Sequence, residues 1–351
     1  MNKAAYTTEV PQDRLELLAE VSSRAPVKVM IVGGTDSGKT TLATFLAREL
    51  ISLGHSVAVV DSDVGQKGIL PPATISLAFP EERFQCLSEL KAAAHYFIGT
   101  VAPSQFAGEM AAGVKRLVDL ADGRAEVVII DTTGFVSGIG AEMKRLKAEL
   151  VRPDLIVLLE RNNELENLAR SLARYGEVVR LKVSELAKKH SREERREVRF
   201  EKWRTYFSGA SLVEVDLSTV QVTGTALFGG RPLLEEEKSL LAEVFKWVVL
   251  AGWKDDRYTV VKADAENMPR HYSRALHAID FEKLSNLLVG FIDENGLCPG
   301  LGILKWINFS TKTAQVLTPL DSLEGVTELR FGRMRVLETG EELGLLRREE
   351  L

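Results

Sequence analysis

Eight consecutive residues, Gly33-Gly34-Thr35-Asp36-Ser37-Gly38-Lys39-Thr40, fit the pattern G-x-x-x-x-G-K-[ST]. In a turn of this kind, successive backbone N–H groups point inward and cradle phosphate oxygens, and the start of the following helix adds partial positive charge. Lys39 would reach the β- and γ-phosphates of a bound nucleotide, and the Thr40 hydroxyl would ligate Mg²⁺. With Thr41, which follows, these residues form the expected nucleotide cradle. A second group of chemically capable residues is Asp61-Ser62-Asp63-Val64-Gly65-Gln66. Its two carboxylates, one residue apart, would serve Mg²⁺ or activate a hydroxyl, since a base must lie within hydrogen-bond reach of the proton it takes. Residue types alone leave open which aspartate does which. Gly65 would let the backbone turn sharply beside a substrate.

A third group is Asp131-Thr132-Thr133-Gly134. An aspartate after an apolar run suits an Mg²⁺-associated carboxylate, and Gly134 suits a position near a terminal phosphate. The same letters fit the D-x-x-G switch of GTPases. A guanine-reading N-K-x-D would then follow the next strand, where the chain reads Glu160-Arg161-Asn162-Asn163-Glu164 instead. Asp131 is therefore expected to orient water around Mg²⁺.

The elements that position these groups follow from hydrophobic patterning. Val27–Val32 is an apolar run before the glycine-rich turn, and Thr41–Leu53 after it carries Leu42, Phe45, Leu46 and Leu50 on one helical face. Further strands are expected at Val57–Asp61, Val127–Asp131 and Leu155–Leu159, with helices at 12–23, 105–121 and Ala141–Leu150. Strands apolar throughout and alternating with helices imply a mostly parallel sheet covered on both faces. Ligands of such sheets sit at the carboxyl ends of the strands, where Lys39, Asp61 and Asp131 all fall.

Between 180 and 204 ten lysines and arginines stand against five glutamates, in a chain whose net charge is −5. Arg192, Arg195, Arg196 and Arg199 are spaced i, i+3, i+4 and i+7, so one helical face presents them together. In phosphoryl transfer such arginines can close over the triphosphate and neutralise developing charge. From about 211 onward short β-like runs appear, at Ser211–Val220, Tyr258–Val261, Leu287–Ile292, Thr313–Thr318 and Leu329–Leu337, interrupted by one helix near Leu234–Val249. The expected organisation is an N-terminal helical segment, 1–25; a P-loop domain, 26–210, with an arginine-rich segment at about 186–209; and a smaller β-rich domain, 211–351.

The mild negative charge excludes a generally basic nucleic-acid binder, so any polyanion contact must be local. No apolar run approaches the roughly 20 residues that span a bilayer. Met1–Pro11 lacks the pattern of a secretory leader. The two cysteines, Cys86 and Cys298, form no C-x-x-C pair, and a reduced, cytoplasmic setting is the simpler expectation.

Taken in order, these segments resemble the Clp1/Grc3 family of polynucleotide 5′-hydroxyl kinases. Besides Gly33–Thr40, Asp61–Gln66 is similar to the family's D-x-D-x-G-Q signature. Pro71-Pro72-Ala73-Thr74-Ile75 and Phe97-Ile98-Gly99-Thr100-Val101-Ala102-Pro103 follow as in many members. Thr132-Thr133-Gly134-Phe135 is similar to its T-x-G-W clasp, and Arg195–Arg199 continuing to Gly209 resembles its arginine-bearing lid. The β-rich tail, with Leu288-Val289-Gly290 and Gly300-Leu301-Gly302, is similar as well, so the resemblance spans roughly 25–345.

The resemblance implies transfer of the ATP γ-phosphate to the 5′-OH of RNA or DNA, with Mg²⁺. It chooses Asp63 as general base and leaves Asp61 to the Mg²⁺ or water network. It implies Gln66, Thr132, Gly134 and Phe135 at the acceptor or the reacting phosphate, and Arg195 and Arg199 as lid arginines, with Arg192 and Arg196 as rivals. Phe135 departs from the family's tryptophan, but phenylalanine also stacks on a base. Only about 25 residues precede the first strand, where eukaryotic members carry an adenine-holding domain. Two rivals stand beside this expectation: a different P-loop enzyme, such as a small-molecule kinase or GTPase, and an ATP-binding scaffold without turnover. Protein partners are left open by the sequence.

Overall fold

A computed structural model describes residues 10–263 and 275–351. The first nine residues, on which part of the 1–25 segment and of the leader reading rests, lie outside the described residues. The chain divides into two compact units, Met1–Lys202 and Trp203–Leu351.

The first unit is built on seven strands: β1 (Val27–Gly33), β2 (Val57–Ser62), β3 (Thr74–Ala78), β4 (Ala94–Phe97), β5 (Val127–Thr132), β6 (Leu155–Glu160) and β7 (Glu177–Lys182). They lie in the order β4-β3-β2-β5-β1-β6-β7. From β2 to β7 every pairing is parallel, while β3 and β4 add antiparallel at one edge. This is the P-loop fold expected from the apolar runs. β2, β5 and β6 are buried along their whole length, as a sheet covered on both faces requires. The shorter β3 and β4, and the partly exposed β7 with its charged Glu177, Arg180 and Lys182, carry weaker patterns and extend the sheet beyond the expected strands.

Around this sheet lie α1 (Gln12–Ser23), α2 (Lys39–Ser52), α3 (Ala107–Ala121), α4 (Ile139–Val151) and the short α5 (Glu166–Leu172), followed by α6 (Arg192–Tyr206). α2 buries the expected face, Leu42, Phe45, Leu46 and Leu50, together with Ala43 and Ala47. Removing each large side chain of this kind from water contributes roughly 1.5–3 kcal/mol. The registers Asp61↔Asp131 and Ser62↔Thr132 bring the ends of β2 and β5 level, so both acidic loops leave the sheet at the same height.

The second unit carries β8 (Ser211–Asp216), β9 (Gln221–Thr223), β10 (Arg231–Pro232), β11 (Val249–Lys254), β12 (Tyr258–Lys262), β13 (Leu276–Asp280), β14 (Leu287–Asp293), β15 (Gly300–Asn308), β16 (Thr313–Thr318), β17 (Val326–Val336) and β18 (Glu342–Leu345). Two helices, α7 (Glu235–Phe245) and α8 (Phe281–Leu284), accompany them. β8 and β14–β18 form one sheet, with β9 beside β17; β10–β13 form a smaller one. The unit is β-rich, as expected. α7 ends earlier than the expected helix near Leu234–Val249, because Lys246 turns into the left-handed region at φ 58° and the chain re-enters as β11.

Candidate active site

The glycine-rich turn leaves β1 and enters α2. Gly38, at φ 86°, supplies the left-handed conformation that a side chain resists. A Cβ on Gly33 would stand 2.6 Å from Ser37 Oγ and 2.8 Å from the Leu159 carbonyl oxygen, so only glycine fits. No side chain caps the start of α2, and its first N–H groups have no partner within the helix. Lys39 is buried and donates to the Gly34 carbonyl at 2.7 Å. Burial lowers its pKa, while Asp131, Asp63 and Asp36 oppose that shift. The Ser37 hydroxyl is buried with no hydrogen-bond partner. These are features of a loop built to meet anionic oxygens.

Thr40 donates its hydroxyl to Asp131 Oδ2 at 2.6 Å. Asp131 is almost wholly buried, and its Oδ1 has no hydrogen-bond partner. Burial and then Asp61 push its pKa up to about 7, against Lys39 and the Thr40 hydroxyl, which pull it down. A carboxylate so placed, with one oxygen unpartnered and the other joined to a P-loop hydroxyl, fits a divalent cation bound by oxygen ligands. No group of three or more acidic, histidine or cysteine side chains that could hold a metal occurs among the described residues. An ion here would thus draw its remaining ligands from phosphates and water, as Mg²⁺ does at such sites.

Asp61 and Asp63, indistinguishable by type, are separated by geometry. Asp61 ends inside β2, fully buried, and its Oδ2 accepts from the N–H groups of Gly68 at 2.7 Å and Ile69 at 2.8 Å. Its Oδ1 accepts from the Asp63 N–H at 3.1 Å, and the Lys67 ammonium lies 3.3 Å from Oδ2. These partners tie the Asp61 oxygens to the folding of loop 63–69, beside the Mg²⁺ or water-network role expected of it. Asp63 lies past the strand end and is half-buried. Its Oδ1 accepts from Gly65 N–H at 3.0 Å and Gln66 N–H at 2.8 Å, which orients the carboxylate. Its Oδ2 takes no hydrogen bond among the described residues. A Cβ on Gly65 would lie 3.1 Å from the Val101 carbonyl, so the turn packs closely on the 97–103 segment. The Val64 carbonyl accepts from Ala73 N–H at 3.2 Å, and Thr74 pairs with Phe97 across β3 and β4. The loop is thus lined by the segments at 71–75 and 97–103.

At the end of β5, Thr132 is spent on the Ile31 carbonyl, to which it donates at 2.7 Å. Gly134 lies against the P-loop: a Cβ there would come within 2.6 Å of Thr35 Cα. Phe135 is half-buried and packs on the start of α4, where a Cβ on Gly140 would meet its ring at 2.6 Å. The Gln66 side chain is half-exposed beside Asp63.

Of the four arginines on one face of α6, Arg195 and Arg199 are partly buried and Arg192 and Arg196 exposed. Arg195 donates to Asp36 Oδ2 at 2.7 Å, and His190 contributes its N–H to the same oxygen at 2.9 Å. The segment carrying His190 and Arg195 therefore touches the P-loop through Asp36. Sequence reasoning missed three fully buried lysines beneath this site, Lys67, Lys144 and Lys147. The i, i+3 spacing of the last two on a helix after an acidic strand end was the available signal, but solvated lysines share it.

The family model for the mRNA cleavage and polyadenylation factor CLP1 P-loop matches residues 33–209. A protein of Thermococcus kodakarensis named polyribonucleotide 5′-hydroxyl-kinase is 62% identical, covering 100% of both chains. One of the same name from Methanocaldococcus jannaschii is 51% identical over 100% of this chain and 99% of its own. Among solved structures, a wild-type Clp1p–Pcf11p complex matches with TM-score 0.59 at 12% identity, over 92% of this chain and 79% of that one. That likeness speaks for the fold alone.

Proposed function

We propose that this chain, which belongs to the CLP1 P-loop family, is an ATP-dependent polynucleotide 5′-hydroxyl kinase acting on the 5′-OH ends of RNA and/or DNA. The observation that carries the reading is Asp63: one carboxylate oxygen is fixed by two backbone N–H groups and the other is unengaged, beside a P-loop. A scaffold that only bound ATP has no use for such a group. Relatives bearing the kinase name over their full lengths support the same activity.

In this mechanism the loop amides, the Ser37 hydroxyl and Lys39 hold the triphosphate, Lys39 leaving the Gly34 carbonyl for the phosphates. Thr40 and Asp131 would hold Mg²⁺. When bound, that ion neutralises charge on the phosphate oxygens. Gly134, with Gln66 and Phe135 near it, receives the acceptor end, and the Phe135 ring offers a face on which a base stacks. Thr132 anchors that segment to β1. Asp63 Oδ2 takes the proton from the 5′-hydroxyl as its oxygen attacks the γ-phosphorus in line and ADP leaves. Arg195 and Arg199 stabilise the charge spread over the transferring group. We further propose that the α6 lid belongs with the P-loop domain and that the protein works in the cytoplasm. No helix among the described residues is long and apolar enough to cross a membrane.

The test is transfer of labelled γ-phosphate from ATP to short 5′-OH RNA and DNA oligonucleotides, with GTP and small hydroxyl compounds run in parallel. Labelled oligonucleotide from the wild type, and none from Asp63→Asn, is the expected result. ATP binding with no transfer to any oligonucleotide would sink the reading.

A further inference from the structure

α4 begins four residues after Phe135, and two of its lysines point into the protein. Lys144 and Lys147 are each fully buried, and neither is ion-paired among the described residues. Lys144 donates to the Thr133 carbonyl at 2.8 Å and to the Thr133 hydroxyl at 2.7 Å. Lys147 donates to Ser62 Oγ at 2.9 Å, and Ser62 in turn donates to the Asp131 carbonyl at 2.8 Å. One helix face thus sends one ammonium to each of the two acidic strand ends.

A fully buried ammonium whose only partners are hydroxyls and carbonyls is expensive, and an apolar side chain of similar volume is often neutral or stabilising in its place. Stability is therefore a poor reason for two such lysines. Position supplies a better one. Thr133 lies between Asp131 and Gly134, and Gly134 has no space for a side chain against Thr35. Ser62 is the residue before Asp63. A shift of either anchor moves a reacting group directly.

We infer that Lys144 and Lys147 are positioning residues of the transfer site: Lys144 fixes Thr133 and with it the clasp at 132–135, and Lys147 fixes Ser62 and with it the strand exit that carries Asp63. The inference rests on the kinase reading above. Neither lysine touches substrate in this scheme; each acts through its neighbour. Burial lowers the pKa of both, in keeping with the absence of paired carboxylates.

The experiment compares Lys144→Met, Thr133→Val and their double variant, and separately Lys147→Met, Ser62→Ala and their double variant, in the full chain. Lys144→Met should raise KM for a 5′-OH RNA oligonucleotide about tenfold, with KM for ATP held within about twofold. Lys147→Met should lower kcat about ten- to a hundred-fold at saturating substrates, since misplacement by an ångström costs rates of that order. Each double variant should be no worse than its lysine variant alone, because partners in one interaction are not additive. Melting temperatures should be at or above wild type. Unchanged kinetics, additive losses within a pair, or ATP binding lost in step with stability would overturn the inference. Where a lysine variant fails to fold, Thr133→Val and Ser62→Ala read the same two arms, and unchanged kinetics in both overturn it equally. A wild type that labels no oligonucleotide sinks the kinase reading and this inference with it.

Discussion

Asp36 Oδ2 lies 2.7 Å from an Arg195 guanidinium nitrogen, so an aspartate of the phosphate loop holds an arginine of α6, the proposed lid. Burial works against the charged carboxylate, but the N–H and ring of His190, together with Arg195, keep Asp36 below its usual pKa. A triphosphate entering the loop would compete with Asp36 for Arg195. On the proposed mechanism Arg195 would then pass from a carboxylate of its own chain to the phosphates of ATP, linking nucleotide entry to closure. Asp36→Ala should loosen the lid when nucleotide is absent. Trypsin cleavage at Lys188 and Lys189 should accelerate several-fold, and saturating ATP should restore protection. Equal cleavage rates in variant and wild type would show that the contact does not restrain the lid.

Asp63→Asn keeps the side chain's shape and removes the proposed base. General-base catalysis contributes typically about 10²–10⁴-fold, so kcat should fall by that order. ATP affinity, measured by titration calorimetry, should stay near wild type. Lys39→Ala should reverse the pattern, losing ATP binding first. A loss of ATP binding in Asp63→Asn would move that residue from the chemistry to the fold.

Thr40 and Asp131 make a paired test of the ion. Chelation should abolish transfer and leave the thermal midpoint of the nucleotide-free protein unchanged, because their hydrogen bond is complete without a metal. Asp131→Asn should raise the Mg²⁺ concentration needed for half-maximal rate by roughly tenfold or more, while ATP binds still without metal. An unaltered Mg²⁺ curve would remove Asp131 from the ion's shell.

Phe135→Ala removes the ring proposed to stack on a base of the acceptor. Stacking of a base on an aromatic ring is worth about 1–3 kcal/mol, which corresponds to roughly five- to a hundred-fold in KM for the oligonucleotide. Phe135→Trp should lower KM, provided the larger ring clears Gly140, against which Phe135 already packs. If Phe135→Ala binds oligonucleotides as tightly as wild type, Phe135 is a packing residue.

The parallel core was legible in the sequence because its strands are apolar throughout and its P-loop has a fixed spacing. The antiparallel edge, β3 and β4, was not, since Thr74–Ala78 and Ala94–Phe97 are short and alternate weakly. At the site, spacing identified the P-loop and both acidic strand ends. It did not separate Asp61 from Asp63, because what separates them is the return of Gly68 and Ile69 to the first and not to the second. Nor did it show that Arg195 rather than Arg192 turns inward, which depends on where Asp36 stands. Lys144 and Lys147 were invisible for a related reason: burial is a property of the packed helix, and their letters are those of a solvated one.

The lysine beneath Ser62 also leaves a mark on stability that pH exposes. Burial pushes Lys147 down to about 7 from a usual 10.5, with Asp63 the foremost charge opposing the shift. Between those values the unfolded chain binds the proton and the folded chain does not, so stability rises with pH across that window. The penalty is complete below about pH 7 and relieved as pH approaches 10.5; its size is on the order of a few kcal/mol at one pKa unit per 1.36 kcal/mol. Lys147→Met lacks this component. In urea unfolding, the variant should therefore exceed wild type most clearly near pH 6, and the gap should close toward pH 10. Parallel stability curves would mean that Lys147 keeps its proton in the folded protein, its charge balanced across the sheet's carboxyl edge by Asp63, Asp61 and Asp131 rather than lost to burial.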